Sequence, residues 1–151
     1  MNFKELFAVS KVFISKPRYI LPTYRATIET IRICDDLYKK EHHKNGKENA
    51  FRHALWNYLI CQKCFKISGS VEAARIWSDH FTGLHEKLSP NQKLAKTMDL
   101  HNNRFGQALF IGNEIPTEEI IHLFQQKMKV AIKVSKVEEI EITKELVYID
   151  D

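Results

Sequence analysis

The sequence predicts a mainly α-helical fold, a compact bundle of about six helices with a short extended or β segment at the C-terminal end. Apolar residues recur at intervals of three and four from the amino terminus to about residue 134, which is the spacing of one face of an α-helix. Glycine, proline and asparagine interrupt this pattern and leave stretches of helical length. A chain of 151 residues, 44% of them apolar, is long enough to bury one core, so we expect residues 1–151 to form a single domain.

Residues typical of helix ends divide the chain into segments. Ser70, followed by Glu72, predicts an N-cap, and Ser89-Pro90 predicts another with proline at the first helical position. Asn45-Gly46 predicts the end of a helix. The expected helices cover residues 2–15, 23–41, 47–66, 70–88 and 91–111, with a sixth that begins near residue 116.

Two features depart from this regular pattern. Gly106 lies inside the fifth predicted helix, where a glycine costs about 1 kcal/mol, so we expect another backbone to approach it closely. From Val137 to Ile142 apolar and polar residues alternate, which predicts a short strand, a hairpin or an extended tail laid over the bundle.

Composition restricts the classes of function. The 23 Lys and Arg residues are offset by 19 acidic ones, and no helix combines a basic stripe with aromatic residues, so nucleic-acid binding is not expected. No apolar run is long enough to span a membrane. Without a recognisable signal peptide, and with only three cysteines, the chain fits synthesis and folding in the cytoplasm, although export without a classical signal would leave the same sequence.

Several conspicuous residues have an ordinary structural interpretation. We expect Trp56 and Trp77 to be core anchors, and His42 and His43 to lie in a solvated loop. The pair in Cys61-Gln-Lys-Cys64 lies in the middle of a predicted helix with no second pair, so we expect inert, buried thiols.

Three stretches place polar side chains inside apolar helical patterns. Asn49, His53 and Asn57 follow one another at intervals of four, on one side of the third predicted helix. His85-Glu86 and residues 99–103 interrupt the apolar series of the next two helices. Burying such groups without partners costs about 1–3 kcal/mol each. They must therefore satisfy one another, a metal, water or a ligand.

A histidine beside a carboxylate can act as a general base, and asparagine can orient a substrate. The expected function is therefore hydrolysis of a phosphodiester or ester bond. The alternative is a non-catalytic interaction domain whose polar centre only fastens helices together. The candidate catalytic residues are His53, His85, Glu86, Asp99 and His101. The candidate substrate-binding residues are Asn49, Arg52, Asn57, Asn102 and Asn103.

A divalent metal is an alternative partner for the same side chains. His53, His85 and Asp99, one from each of three helices, could hold such an ion and leave a position open for water. The spacing matches no established metal motif, because residue 89, where HExxH would place its second histidine, is serine. The sequence alone does not decide between a metal and a hydrogen-bonded network.

The motifs NAFRHALWN at 49–57, HE at 85–86 and MDLHNN at 98–103, followed by Gly106, resemble those of a bacterial domain family of uncharacterised function. The resemblance covers the motif core at residues 47–111. Members look like stand-alone small proteins or terminal modules of secreted polymorphic toxins. It implies a mostly helical fold and a toxin or effector setting, with an immunity protein as partner, but no particular reaction. The matching positions are Asn49, Arg52, His53, Trp56, Asn57, His85, Glu86, Asp99, His101, Asn102, Asn103 and Gly106.

A looser likeness links the chain to small helical phospholipases, in which a histidine on one helix pairs with an aspartate from a neighbouring helix. Those proteins carry an HD motif, whereas His53 is followed by Ala54 here, and their calcium loop is not evident.

Overall fold

The computed structural model describes residues 3–149, except for the side chains of Phe3 and residues 5–7. Within this part of the chain lie seven α-helices and two short strands, which confirms the predicted mainly α fold. Their bounds are α1 Phe3–Ser15, α2 Ile20–Tyr38, α3 Lys47–Ser68, α4 Val71–Leu88, α5 Lys93–Leu109, α6 Thr117–Lys129, β1 Ile132–Lys133, α7 Val137–Glu141 and β2 Val147–Tyr148. Short 3-10 helices cover Pro17–Tyr19 and Glu41–His43. Asn2, the first residue of the first predicted helix, lies outside the described residues.

α3 is the central helix of the bundle. It packs against α2, α4, α5 and α6, so most of its circumference is covered. Phe51, Leu55, Tyr58 and Leu59 of α3 are fully buried. A helix that is covered on nearly every side can carry polar groups only where neighbouring helices supply hydrogen-bond partners.

Gly106 marks the closest approach between α3 and α5. A Cβ atom at this position would overlap the backbone carbonyl of Ala54. The predicted close approach at Gly106 is therefore confirmed, and its partner is the residue that follows His53. The crossing brings the polar face of α5 directly against the polar face of α3.

The predicted helix starts are partly right. The Ser70 hydroxyl caps α4 by accepting a hydrogen bond from the Ala73 amide at 3.1 Å, as expected. The Ser89 prediction is wrong: α5 begins at Lys93, with Gln92 as its N-cap residue. Ser89 instead ends α4, because its amide donates to the carbonyl oxygen of His85 at 3.1 Å.

The second predicted helix also begins and ends earlier than expected. α2 starts at Ile20, so it contains Pro22. A proline in the first turn is tolerated because the amide at that position needs no partner within the helix. The helix ends at Tyr38. Of the residues expected to continue it, Lys39 and Lys40 form a turn and Glu41 begins the 3-10 helix Glu41–His43.

The C-terminal segment differs from a hairpin. β1 and β2 pair in parallel, with Ile132 opposite Val147. Parallel strands need a crossover between them, and here it contains α7, so the strand predicted over 137–142 is wrong. The apolar residues 146–149, which belong to the same predicted extended segment, do contain a strand, β2. Ile140 of α7 instead buries its side chain in a small second core with Met98 and Val147. Asp150 and Asp151, the last residues of the predicted tail, lie outside the described residues.

The structural roles expected for the tryptophans, the cysteines and His42 are confirmed in part. Trp77 is a buried core residue as expected, whereas Trp56 is only half-buried. Cys61 and Cys64 are buried free thiols, and burial raises their pKa values to about 12 and about 11. His42 is not solvated: its ring is fully buried, with Nε2 2.7 Å from Oδ1 of Asp35. None of the helices described combines the length and the apolar character needed to cross a bilayer.

Candidate functional site

The polar centre of the bundle is built by α3, α4 and α5. His53 comes from α3, Glu86 from the last turn of α4, and Asp99 and Asn103 from successive turns of α5. Each of these four residues is at most 4% exposed. The interval of four between Asp99 and Asn103 places both on the same side of α5, facing α3.

The side-chain amide of Asn57 connects α3, α4 and α5 within this centre. Its Nδ2 donates to the carbonyl oxygen of His53 at 3.0 Å and to Oδ1 of Asn103 at 2.8 Å. Its Oδ1 accepts from Ser78 and Gln107 at 2.8 Å each and lies 2.9 Å from the Thr82 hydroxyl. Asn57 is fully buried and its side-chain amide is occupied by these partners, so this predicted substrate-binding residue lies inside the bundle and not at its surface.

These contacts assign the tautomer of His53. A carbonyl oxygen only accepts hydrogen bonds, so the amide atom of Asn57 beside the His53 carbonyl must be nitrogen. That nitrogen also faces Asn103, which must therefore present its oxygen. The same oxygen lies 2.8 Å from Nδ1 of His53, so Nδ1 carries the proton and donates it. Nε2 is left with the lone pair.

The Nε2 side of His53 faces a carboxyl group and a guanidinium. Oδ1 of Asp99 lies 3.3 Å away and Nη2 of Arg52 lies 3.3 Å away. Burial, followed by the charge of Arg52, lowers the pKa of His53 to about 4. His53 is therefore neutral at neutral pH.

Glu86 and Asp99 share a single negative charge. Burial and then the charge of Glu86 raise the pKa of Asp99 to about 8, so Asp99 keeps its proton at neutral pH. Burial also acts to raise the pKa of Glu86, but the hydrogen bonds from His85 and from protonated Asp99 outweigh it, so its pKa is lowered and Glu86 is ionised. With neutral His53, the centre contains one carboxylate and the one guanidinium of Arg52.

Arg52 is held at the edge of the centre. Its Nη2 donates to Oδ1 of Asn49 at 2.9 Å, and its side chain is half-buried. The buried Nε atom has no hydrogen-bond partner in the described part of the chain. The guanidinium is therefore only partly paired within the described part of the chain.

A cleft of about 250 Å³ lies between α2, α3 and α4. It is lined by Thr27, Thr30, Ile31, Arg52, His53, Trp56, Phe81 and His85. His85 is exposed at the rim, with 61% of its side chain accessible, and its Nδ1 lies 3.2 Å from Oε1 of the buried Glu86. The cleft therefore combines one guanidinium, two imidazoles and apolar walls.

Two predicted site residues serve another purpose. Nε2 of His101 donates to the carbonyl oxygen of Glu145 at 2.7 Å. Asn102 exchanges two hydrogen bonds with the backbone of Val147, at 2.9 and 3.0 Å. Successive helical residues are rotated by about 100°, so these side chains leave the face that carries Asp99 and Asn103. They fasten the C-terminal segment to α5.

The residues that could hold a metal differ from the predicted set. His53, Glu86 and Asp99 each offer a ligand atom within 4.8 Å of the others, so Glu86 occupies the place predicted for His85. Oδ1 of Asp99 is buried and has no hydrogen-bond partner in the described part of the chain. Asp35, His42 and His43 form a second group with the same spacing of ligand atoms.

Sequence reasoning missed several residues that build the site. Ser78 and Thr82, which support Asn57, lie at an interval of four within the apolar face of α4, and this spacing was a usable signal. Thr27, Thr30 and Ile31 also line the cleft, but no pattern in the sequence of α2 distinguishes them from its other residues.

Comparison with curated proteins and with solved structures finds no match. A family model, described as a domain of unknown function (DUF6973), matches residues 10–132. This range includes every residue of the polar centre and of the cleft, and it extends well beyond the motif core at residues 47–111. The chain belongs to the DUF6973 family.

Proposed function

We propose that this protein hydrolyses an ester or phosphodiester bond, with His85 as the general base and Glu86 as the residue that orients it. One observation carries the proposal. A buried, ionised carboxylate lies 3.2 Å from Nδ1 of a histidine that is exposed at the rim of a cleft. A carboxylate in this position fixes the tautomer of the ring and stabilises the imidazolium that forms during proton transfer.

The roles follow from the hydrogen bonds. Nδ1 of His85 donates to Oε1 of Glu86, so Nε2 accepts a proton from a water molecule. The water oxygen forms a bond to the ester carbon or phosphorus, the bond to the leaving oxygen breaks, and the proton on Nε2 passes to that oxygen. The total charge and the number of protons are the same before and after the reaction, so no further reactant is needed.

Arg52 supports a substrate with a negative charge. Its guanidinium lines the cleft and its Nε has no hydrogen-bond partner in the described residues. A guanidinium in a partly dehydrated cleft pairs well with phosphate or carboxylate. Ile31, Trp56 and Phe81 supply apolar walls, so the preferred substrate is an anionic ester with an apolar group.

His53, Asp99 and Asn103 are positioning residues in this scheme. Protonated Asp99 and the nearby ring of His53, whose Nδ1 is 3.8 Å from Oε1 of Glu86, hold the Glu86 carboxylate in the interior. Asn103 holds the ring of His53. A carboxylate held in this way keeps one orientation relative to His85, so it loses little conformational entropy when the proton moves.

Metal-dependent hydrolysis is the second candidate. It is supported by the group His53, Glu86 and Asp99 and by the Asp99 oxygen without a hydrogen bond. Two carboxylates and one imidazole would suit a divalent cation such as zinc or manganese, and the ion would activate water as a Lewis acid. The Nδ1–H of His53 already donates to Asn103, which is the outer contact that a ligating histidine needs.

The biological setting is part of the proposal. The resemblance of the motif core to toxin modules supports an effector role, with an immunity protein as the partner. The competing role is a non-catalytic interaction domain whose polar centre only fixes the packing of α3, α4 and α5.

Turnover of two chromogenic substrates, p-nitrophenyl acetate and bis(p-nitrophenyl) phosphate, tests the proposal. We expect His85→Ala to lower the rate at least about 100-fold, the usual contribution of a general base. His80→Ala, an exposed histidine on the same helix, is the matched control and keeps the wild-type rate. Equal rates for wild type and His85→Ala would overturn the role of His85. A folded wild type without turnover of either substrate would favour the interaction domain.

A further inference from the structure

The surface of α2 beside the cleft carries an unusual concentration of exposed apolar side chains. Thirteen large apolar side chains are exposed in the described part of the chain, and five follow one face of α2. These five form what we call the apolar ridge: Ile20, Leu21, Tyr24, Ile28 and Ile31, between 40% and 62% exposed. They recur in steps of three and four, so they make one continuous stripe along the helix. Contiguous apolar surface of this kind marks an interaction site.

Basic residues predominate around the apolar ridge. Residues 16–34 contain four basic residues, Lys16, Arg18, Arg25 and Arg32, all exposed. Arg25 and Arg32 each lie four residues after a ridge residue, Leu21 and Ile28, so they flank the stripe directly. The single acidic residue in this segment, Glu29, is half-buried and pairs with Lys63 at 2.6 Å. Asp35, four residues after Ile31, and Asp36 are the acidic residues at the C-terminal end of α2.

We infer that the apolar ridge docks on the surface of an anionic lipid bilayer. A bilayer accepts a convex helix face, because acyl chains deform around aliphatic side chains while arginine heads reach the phosphates of the headgroups. The predominance of positive charge beside the ridge, from Lys16, Arg18, Arg25 and Arg32, matches an anionic lipid surface.

The position of the ridge relates docking to the cleft. Ile31 belongs to the ridge and also lines the cleft, together with His85 on the opposite side. A bilayer that covers the ridge therefore lies against the mouth of the cleft, and amphiphilic molecules reach His85 along Ile31. Docking does not depend on the proposed hydrolysis, and it is measured without turnover.

Cosedimentation of the full chain with vesicles tests the inference. We expect binding to vesicles of phosphatidylcholine mixed with phosphatidylserine, weak binding to phosphatidylcholine alone, and a loss of binding as salt is raised. The double variant Arg25→Gln, Arg32→Gln should bind about 30-fold more weakly, since each basic residue near an anionic surface contributes about a factor of five. Lys129→Gln with Lys136→Gln, two exposed lysines outside α2, is the matched control and retains binding.

The apolar contribution is tested separately. Leu21→Asp with Ile28→Asp should abolish sedimentation with the anionic vesicles, whereas Ile142→Asp, at an 87% exposed site away from α2, should leave it unchanged. Circular dichroism confirms that each variant is folded. Wild-type binding by both ridge variants, or no preference for phosphatidylserine, would overturn the inference. His85→Ala should bind vesicles like wild type, so failure of the hydrolase proposal leaves this result intact.

Discussion

Nδ1 of His53 lies 2.8 Å from Oδ1 of Asn103, and this hydrogen bond joins α3 to α5 in the polar centre. Asn103 accepts from Asn57 through the same oxygen at 2.8 Å. One amide oxygen therefore satisfies two buried donors and fixes which nitrogen of His53 carries the proton.

Asn103→Ala should be strongly destabilising. It leaves the Nδ1–H of His53 and one of the two N–H groups of the Asn57 amide without an acceptor in the interior, at a cost of about 1–3 kcal/mol for each. We expect the free energy of unfolding in urea to fall by about 2–5 kcal/mol. Asn91→Ala, in the exposed connection before α5, should change it by less than about 0.5 kcal/mol. Similar losses for the two variants would show that the hydrogen bond to His53 contributes little.

Two helical glycines should respond to alanine in opposite directions. A Cβ at Gly106 meets the backbone of Ala54, which cannot move without separating α3 from α5, so Gly106→Ala should cost several kcal/mol or prevent folding. Nothing lies within 4 Å of a Cβ at Gly83 in α4. Gly83→Ala should therefore raise stability by about 0.5–1 kcal/mol. Thermal unfolding of both variants checks the pair, and destabilisation by Gly83→Ala would contradict this account.

Helical periodicity was enough to predict the bundle because each long helix buries a face whose spacing is visible in the sequence. It was also enough to bring His53, Asp99 and Asn103 together, since residues at intervals of four share a face. Periodicity could not place His101 and Asn102, because their partners are backbone groups at 145 and 147, far away in the chain. Nor could it show that His85 lies at the rim while Glu86, its neighbour, is buried.

His53 and His85 should differ in what their removal does. The side chain of His85 is 61% exposed, so we expect His85→Ala to change stability by less than about 1 kcal/mol while activity is lost. His53→Ala removes a buried ring and strands Asn103, so it should cost about 2–4 kcal/mol. Urea unfolding beside the turnover assay separates the two effects. A large loss of stability in His85→Ala would mean that this residue is part of the scaffold.

The pKa values of His53 and Asp99 predict an unusual dependence of stability on pH. Between pH 4 and 6.5 folding moves a proton from His53, whose pKa falls from 6.5 to about 4, to Asp99, whose pKa rises from 3.8 to about 8. The two states then bind equal numbers of protons at these sites, so stability is flat. Above pH 6.5 the unfolded chain loses the histidine proton while folded Asp99 keeps its own.

Stability should therefore fall as pH rises from 6.5 to 8, by up to about 2 kcal/mol. Urea unfolding at several pH values, in the presence of a chelator, measures this slope. Asp99→Asn should remove the fall because asparagine does not titrate, whereas Asp79→Asn, at an exposed site on α4, should retain it. Stability that rises across this range in the wild type would show that Asp99 is ionised in the folded protein.

The charge balance of the polar centre predicts the outcome of metal addition. Ionised Glu86 is already balanced by Arg52, whose Nη2 lies 3.3 Å from Nε2 of His53, and Asp99 holds a proton. A divalent ion would have to displace that proton and turn the guanidinium away. We therefore expect protein purified without a His-tag to contain less than about a tenth of an equivalent of transition metal, and zinc or manganese to cause no thermal shift.

Wild type and Asp99→Asn should respond identically to both ions, and turnover should survive a chelator. The second metal group, Asp35, His42 and His43, requires its own control, because ions bound there would raise the melting temperature without affecting catalysis. His43→Ala removes that contribution while leaving the polar centre intact. A stoichiometric metal in His43→Ala that disappears in Asp99→Asn would favour metal-dependent hydrolysis over His85 acting as the base. Since His85 does not belong to the metal group, His85→Ala should then still bind the ion.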